Sequence, residues 1–241
     1  TLGRQAIDAK QLLQSLTTTQ KNQALEQAAA SLIDKQDRLL AANEKDYQKA
    51  KEAGMAEGLL DRLKLSADRI EAMAQGLRQI ASLPDPIGEV MECFDRPNGL
   101  HIKKVRVPMG VVGIIYEARP NVTAAVFGLC FKTGNAVILK GGRDAFYSNQ
   151  AITEIIQETL EKEGISQHAL QLIAHNDREV TTAFMQLKEY VDVLIPRGGA
   201  GLIRTVTREA SVPVIRTGEG ICHIYVDKEA DLDMAAEILY N

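Results

Sequence analysis

The sequence predicts an α/β protein whose main sheet is parallel, and three observations lead there. From residue 108 onward, apolar runs of strand length at 111–115, 136–139, 170–174, 191–195, 212–215 and 224–226 alternate with helical stretches. Buried strands alternating with amphipathic helices build a parallel sheet covered on both faces. Before about residue 84 the composition is different, rich in Ala, Leu, Gln, Lys and Glu, all good helix formers. Between the two regions lies Asp95-Arg96-Pro97-Asn98-Gly99, a turn flanked by two β-prone runs.

In chain order, Leu25, Ala28, Ala29, Leu32 and Ile33 recur at helical spacing, and Thr17, Thr18 and Thr19 offer N-caps for that helix. Asn43, followed three residues later by Asp46, predicts a cap for another helix with Gly54 as its stop. Ser66 opens a third stripe of Ile70, Met73, Leu77 and Ile80, which Leu83-Pro84-Asp85-Pro86 ends because proline cannot continue the ladder. The runs 89–94 and 100–107 read as a protruding two-stranded arm. In the α/β region, Ala151, Ile152, Ile155, Ile156 and Leu160 share one face of a helix predicted over 149–163, with Gly164 as its stop. The chain thus divides into an N-terminal helical segment (1–87), a β-hairpin arm (88–107) and an α/β part (108–241).

Of the 241 residues, 45% are hydrophobic and 25% charged, with a net charge of −4. That is ordinary globular composition, without the basic footprint of a nucleic-acid binder. No apolar run approaches the ~18 residues of a membrane span, and Thr1-Leu2-Gly3-Arg4-Gln5 lacks the apolar core of a signal peptide. Cys93, Cys130 and Cys222, odd in number and far apart, do not form a disulfide framework, so a cytoplasmic location is expected. Aromatic residues are few, which weakens a base-stacking or peptide-groove function.

Ligands of open parallel sheets sit at the carboxyl ends of strands. Three predicted strand ends carry polar groups or bare amides: Tyr116-Glu117-Ala118-Arg119-Pro120-Asn121, Lys140-Gly141-Gly142-Arg143, and Pro196-Arg197-Gly198-Gly199-Ala200-Gly201 ahead of a helix. Each suits an anion. Each also has a plainer reading. The glycines serve equally as a strand-to-helix turn, Lys140 and Arg143 as solvated loop charges, and Asn121 as a helix N-cap after Pro120. Together they converge on a dinucleotide better than any does alone.

Metal ligation is not expected, because His101, His168, His175 and His223 show no paired ligand spacing. Cys222 and His223 are adjacent on a predicted strand, so their side chains would face opposite ways. Cys130 reads as a core thiol on a helix. None of the three cysteines has the surroundings of an activated nucleophile.

The stretch from Val107 to Thr123, with its Tyr116-Glu117-Ala118-Arg119-Pro120-Asn121 signature, closely resembles the γ-glutamyl phosphate reductase family, a branch of the aldehyde dehydrogenase superfamily. So do 136–142, 194–202 and 217–227, the last containing Cys222-His223-Ile224-Tyr225-Val226-Asp227. The resemblance implies an aldehyde-dehydrogenase-like, Rossmann-type fold. It implies NADPH-dependent reduction of L-glutamyl 5-phosphate to L-glutamate 5-semialdehyde in proline biosynthesis, through a cysteine thioester. By the same resemblance Asn121 donates to the oxyanion, and Lys140, Gly141, Gly142 and Arg143 flank the adenosine ribose. Arg143, a cation where NAD-preferring relatives often keep an acid, suits the 2′-phosphate of NADP. Gly198, Gly199 and Gly201 form the turn that brings the pyrophosphate to a helix N-terminus. A homo-oligomer, a dimer joined through the arm, is implied too, with glutamate 5-kinase as a possible pathway partner.

One departure accompanies the match. In that family the nucleophilic cysteine follows the segment equivalent to 235–241, in a separate catalytic domain, and no cysteine here matches its motif. The chain is expected to correspond to the N-terminal part of a member and to be inactive alone. Two rival readings stay open: a reductase of another acyl phosphate, and a non-catalytic nucleotide-binding or interaction module. Arg119 and His223 are further polar candidates near the predicted cleft, and Glu219 falls roughly where relatives keep a catalytic glutamate but is left out of the catalytic set.

Overall fold

The first structural decision is local. Thr17 and Gln20 cap each other reciprocally, with the Thr17 amide donating to Gln20 Oε1 at 2.9 Å and the Gln20 amide to Thr17 Oγ1 at 3.2 Å. The computed structural model describes every residue except Thr1, Ala118, Asn176, Thr217, Glu219, Gly220 and Asn241. Helix α1 (Leu2–Leu13) precedes this cap, and α2 (Thr18–Asp34) follows it. Next come α3 (Gln36–Glu52), α4 (Glu57–Leu63) and α5 (Ala67–Ser82), the last capped by Ser66 as the sequence predicts. Strands β1 (Val90–Asp95) and β2 (His101–Val105) pair antiparallel as a hairpin, with Phe94 opposite Ile102.

The α/β region then runs β3 (Val111–Tyr116), α6 (Asn121–Lys132), β4 (Ala136–Lys140), α7 (Phe146–Lys162), β5 (Leu170–Leu172), α8 (Arg178–Met185), β6 (Val193–Arg197), α9 (Ala200–Glu209) and α10 (Leu232–Tyr240). Strands β5, β4, β3 and β6 lie in that order, all parallel. The N-terminal helices share one hydrophobic core with this sheet: Leu25, Leu32, Ile70 and Leu77 belong to the same cluster as Ile138, Phe127 and Leu194. No helix among the described residues is long and apolar enough to cross a membrane.

The structure corrects three local expectations. Asn43 and Asp46 do not cap a helix; both lie inside α3 and are buried. Their polar groups are used across the fold instead. Asn43 donates to the Leu63 carbonyl at 2.8 Å and accepts from the Leu65 amide at 2.7 Å. Asp46 accepts from the amides of Tyr147 and Ser148 at 3.1 and 2.7 Å, so it caps the N-terminus of α7 from a distant element. A capping residue type marks a hydrogen-bonding need, and tertiary contacts here redirect it.

The sheet is also shorter than predicted. The segment at 212–215 contributes one bridge, Leu194 to Val214, because Pro213 has no amide hydrogen to extend a ladder. Residues 224–226 form no strand and are exposed, so Cys222 and His223 are not strand neighbours. High β-propensity forms a strand only where a neighbouring strand and a packing surface await it, and among the described residues 224–226 have neither.

Candidate functional site

The sheet order locates the site. From β3 the chain moves through β4 to β5 on one side, then returns so that β6 lies on the opposite side of β3. At such a reversal the connections leave in opposite directions, opening a crevice beyond the strand carboxyl ends. Tyr116 at the end of β3 is in register with Arg197 at the end of β6, so the residues following both strands meet there.

A cleft of about 560 Å³ occupies the crevice. Tyr116 and Glu117 form one wall and Arg197, Gly198 and Gly199 the other, with Arg62 from α4 and Arg119 closing it. Gly199 is the N-cap of α9, and its amide donates to Glu117 Oε2 at 2.9 Å. The helix start thus already holds an anionic oxygen, supplied by the protein itself. A Cβ on Gly198 would sit 2.6 Å from the Glu117 carboxyl carbon, so the close approach of that side chain requires glycine.

Tyr116 is buried under the cleft and its hydroxyl lies 2.6 Å from Thr123 Oγ1, which donates to Asn149 Oδ1 at 3.0 Å. Burial raises the phenol pKa well above its ordinary value, so Tyr116 is neutral structural support. These three residues join β3, α6 and α7 directly beneath the site.

Asn121 is the first residue of α6, one place inside the helix, since Pro120 takes the capping position. It is exposed and opens onto a second cleft of about 320 Å³. Arg62 and Arg119 line both clefts, while the glycine turn lines only the larger and Asn121 only the smaller.

Lys140 and the residues after it stand at the end of β4, on the other side of β3 from the glycine turn. Lys140 is buried and its ammonium donates to the Gly141 carbonyl at 3.0 Å. Burial pulls its pKa below the usual lysine value, the nearby Arg143 charge adds to this, and Asp177 opposes it. Gly141 faces Asn149 Nδ2 and lies 3.3 Å from Tyr116 Oη at its hypothetical Cβ, so no larger residue fits there. Gly142 is half-buried and Arg143 exposed. Gly201 lies in the first turn of α9 with open space around it.

The sequence reading did not single out Glu117, Tyr116 or Arg62 for these positions. The signature stretch contained the first two, but their hydrogen-bond partners come from the end of β6, the turn before α9 and α6. Arg119, named as a polar candidate, lines both clefts; His223 lines neither, and its Nδ1 lies 3.1 Å from the Ile221 carbonyl. Glu219 lies outside the described residues. Burial pushes the Cys130 thiol up to about 12, so it carries no thiolate near neutrality. Among the described residues no three of His, Cys, Asp and Glu gather as metal ligands.

Comparison with known proteins agrees with this architecture. A family model described as "Aldehyde dehydrogenase family" matches residues 3–241. The γ-glutamyl phosphate reductase of Moorella thermoacetica is 56% identical over the whole of this chain, and that of Enterococcus faecalis is 52% identical over 240 residues. The chain spans 58% of the length of each. The crystal structure of γ-glutamyl phosphate reductase from Thermotoga maritima superposes with a TM-score of 0.90 at 42% identity, covering all of this chain and 58% of that one. The structure of the Saccharomyces cerevisiae reductase gives 0.83 at 32% identity, covering 99% and 60%. The chain belongs to the aldehyde dehydrogenase family.

Proposed function

We propose that this member of the aldehyde dehydrogenase family works in the NADPH-dependent reduction of L-glutamyl 5-phosphate to L-glutamate 5-semialdehyde, with its dinucleotide in the crevice between β3 and β6. One observation carries the reading: the strand reversal puts the backbone of Gly198 and Gly199 and the start of α9 against a cleft that also holds Arg62, Arg119 and Arg197. The Glu117 carboxylate already bound to the Gly199 amide supports the fit of a phosphate there, since that donor accepts an anion. The names of the similar reductases supply the substrate.

In this reading Gly198, Gly199 and Gly201 cradle the pyrophosphate. Lys140, with Gly141 and Gly142, holds the ribose, and Arg143 takes the 2′-phosphate by charge-assisted hydrogen bonds. The bound nicotinamide supplies the hydride. Asn121 offers its side-chain amide to the oxygen that gains charge at the acyl carbon, a donor worth roughly 3–4 kcal/mol in comparable sites. The nucleophilic thiolate comes from outside these 241 residues: Cys130 is held as a neutral thiol, Cys93 lies on the arm, and Cys222 lines neither cleft. The division into helical segment (1–87), arm (88–107) and dinucleotide-binding part (108–241) belongs to the same proposal. So do pairing of two subunits through the arm, a cytoplasmic location, and supply of the acyl phosphate by a glutamate 5-kinase.

The test is NADP-dependent oxidation of glutamate 5-semialdehyde by the full-length protein in the presence of phosphate, the reaction in reverse. Phosphate-dependent appearance of NADPH is the expected result. Arg143→Ala should lower the preference for NADPH over NADH by about 10-fold. An unchanged preference would overturn the role of Arg143, and absence of phosphate-dependent turnover would overturn the reaction.

A further inference from the structure

The smaller cleft has a composition that the dinucleotide site does not explain. Its floor is apolar, formed by Leu65, Met73 and Ile80, and its rim carries Arg62 and Lys64 at the end of α4. Arg119 and Asn121 line the cleft too. A methylene chain suits the floor, and a carboxylate suits the rim.

The rim is built rather than incidental. Arg69 spends its guanidinium on the stretch that bears these cations. Its Nη2 meets both Asp61 carboxylate oxygens at 2.9 and 3.0 Å. Its Nη1 donates to the carbonyls of Asp61 and Lys64, the latter at 2.7 Å. Arg69 is therefore the positioning residue, tying the C-terminus of α4 to the first turn of α5. Lys64 rests over the Tyr47 ring, 5.7 Å from its centroid, which steers the ammonium without neutralising it. Among the described residues neither Arg62 nor Lys64 has a carboxylate within ion-pair distance, whereas Arg69, Arg78 and Arg106 each do.

We infer that this cleft is the seat of the acyl substrate, and that Arg62 and Lys64 select a chain bearing a carboxylate at the end remote from the reacting carbon. The inference rests on the function proposed above. Asn121, which the proposed function assigns to the oxyanion, lines the smaller cleft, so a substrate held there by Lys64 and Arg62 has its reacting carbon at Asn121. Binding energy from the remote carboxylate then fixes the reacting carbon in place.

Two variants test the assignment in the full-length protein. Lys64→Met removes a rim charge outside the dinucleotide cleft. Gly76→Leu fills the cleft from α5, where a Cβ meets nothing within 4 Å and the side chain starts in open space. Lys64→Met should raise KM for glutamate 5-semialdehyde roughly 10-fold to 100-fold while kcat and KM for NADP stay near wild type. Gly76→Leu should lower kcat/KM for it at least about 10-fold with thermal unfolding unchanged or improved. Butyraldehyde, which lacks the carboxylate, should be turned over equally by wild type and Lys64→Met. Calorimetric titration with glutarate reads the cleft without any turnover, and binding to wild type but not to Lys64→Met supports the inference even if the proposed reaction fails. Equal glutarate affinity in wild type and Lys64→Met, or KM for the semialdehyde within about twofold, overturns it.

Discussion

Strand β3 and the β1–β2 hairpin are made of similar residues and meet opposite fates. Val111, Val112, Ile114, Ile115 and Tyr116 are all buried, whereas every residue of β1 and β2 is exposed, including Phe94, Ile102 and Val105. β3 lies between β4 and β6 and under helices, so its side chains leave water on both faces. The hairpin pairs only with itself, and an isolated two-stranded ribbon is marginal in water. The difference teaches that β-propensity states what a segment is able to do, and neighbours decide what it does. It also separates their settings: the buried strand has its end packed beneath the site, while the exposed ribbon leaves its apolar side chains in water.

The root that leads into the hairpin is held differently. Lys21 on α2 forms a buried ion pair with Asp85, which also accepts from Thr18 Oγ1 and the Ile87 amide at 3.0 Å each. Lys132 lies buried nearby, donating to the Ala81 carbonyl at 2.8 Å. Asp85→Ala strands these cations, and unfolding by urea should show a loss of about 3–5 kcal/mol, the largest effect expected. Burial pushes the Asp85 carboxyl up, but the bonds from Lys21, the Ile87 amide and Thr18 outweigh it and hold the pKa below its ordinary value. An acid with a depressed folded pKa stabilises the fold above its ordinary value and loses that contribution as pH falls through the folded one. Stability should therefore drop below about pH 4, and Asp85→Asn should flatten that acid limb. A retained limb would make the root no better anchored than the blade.

Next in size is Gly113→Val in β3. A Cβ there meets Leu194 Cδ2, and lies 2.9 Å from Phe184 Cζ and 3.1 Å from Val191 Cγ1. Overpacking of this kind should cost about 2–3 kcal/mol in the same titration. An effect smaller than that of an arm mutation would break the contrast between buried and exposed strands.

Glu117→Gln sharpens it at the mouth of β3. Removing the carboxylate that competes for the Gly199 amide should tighten NADP binding by about 3-fold to 10-fold in a fluorescence titration. Weaker binding would mean that Glu117 contacts the ligand instead of yielding to it. The smallest effect belongs to the blade of the arm: Phe94→Ser should change unfolding free energy by no more than about 0.5 kcal/mol. A larger change measured at low protein concentration would show that the arm packs on its own subunit.

What the sequence determined by itself was local. The cap at Thr17, the stripe of Ile70, Met73, Leu77 and Ile80, the hairpin turn at Asn98-Gly99 and four strands of the sheet follow from periodicity and turn chemistry over a few residues. The signature from Tyr116 to Asn121 and the glycines after Arg197 marked where a ligand-binding turn stands in the chain. The tertiary structure decided the rest. Only the order β5-β4-β3-β6 makes the ends of β3 and β6 neighbours, and no local pattern encodes it, because strand order is settled by nonlocal pairing and packing. The same holds for Asp46, whose capping chemistry serves amides 101 and 102 residues away in sequence. It holds for Glu117, whose partner lies 82 residues further on. A side chain's chemistry is a property of its residue, but which group satisfies it depends on what the fold brings within a hydrogen bond's length.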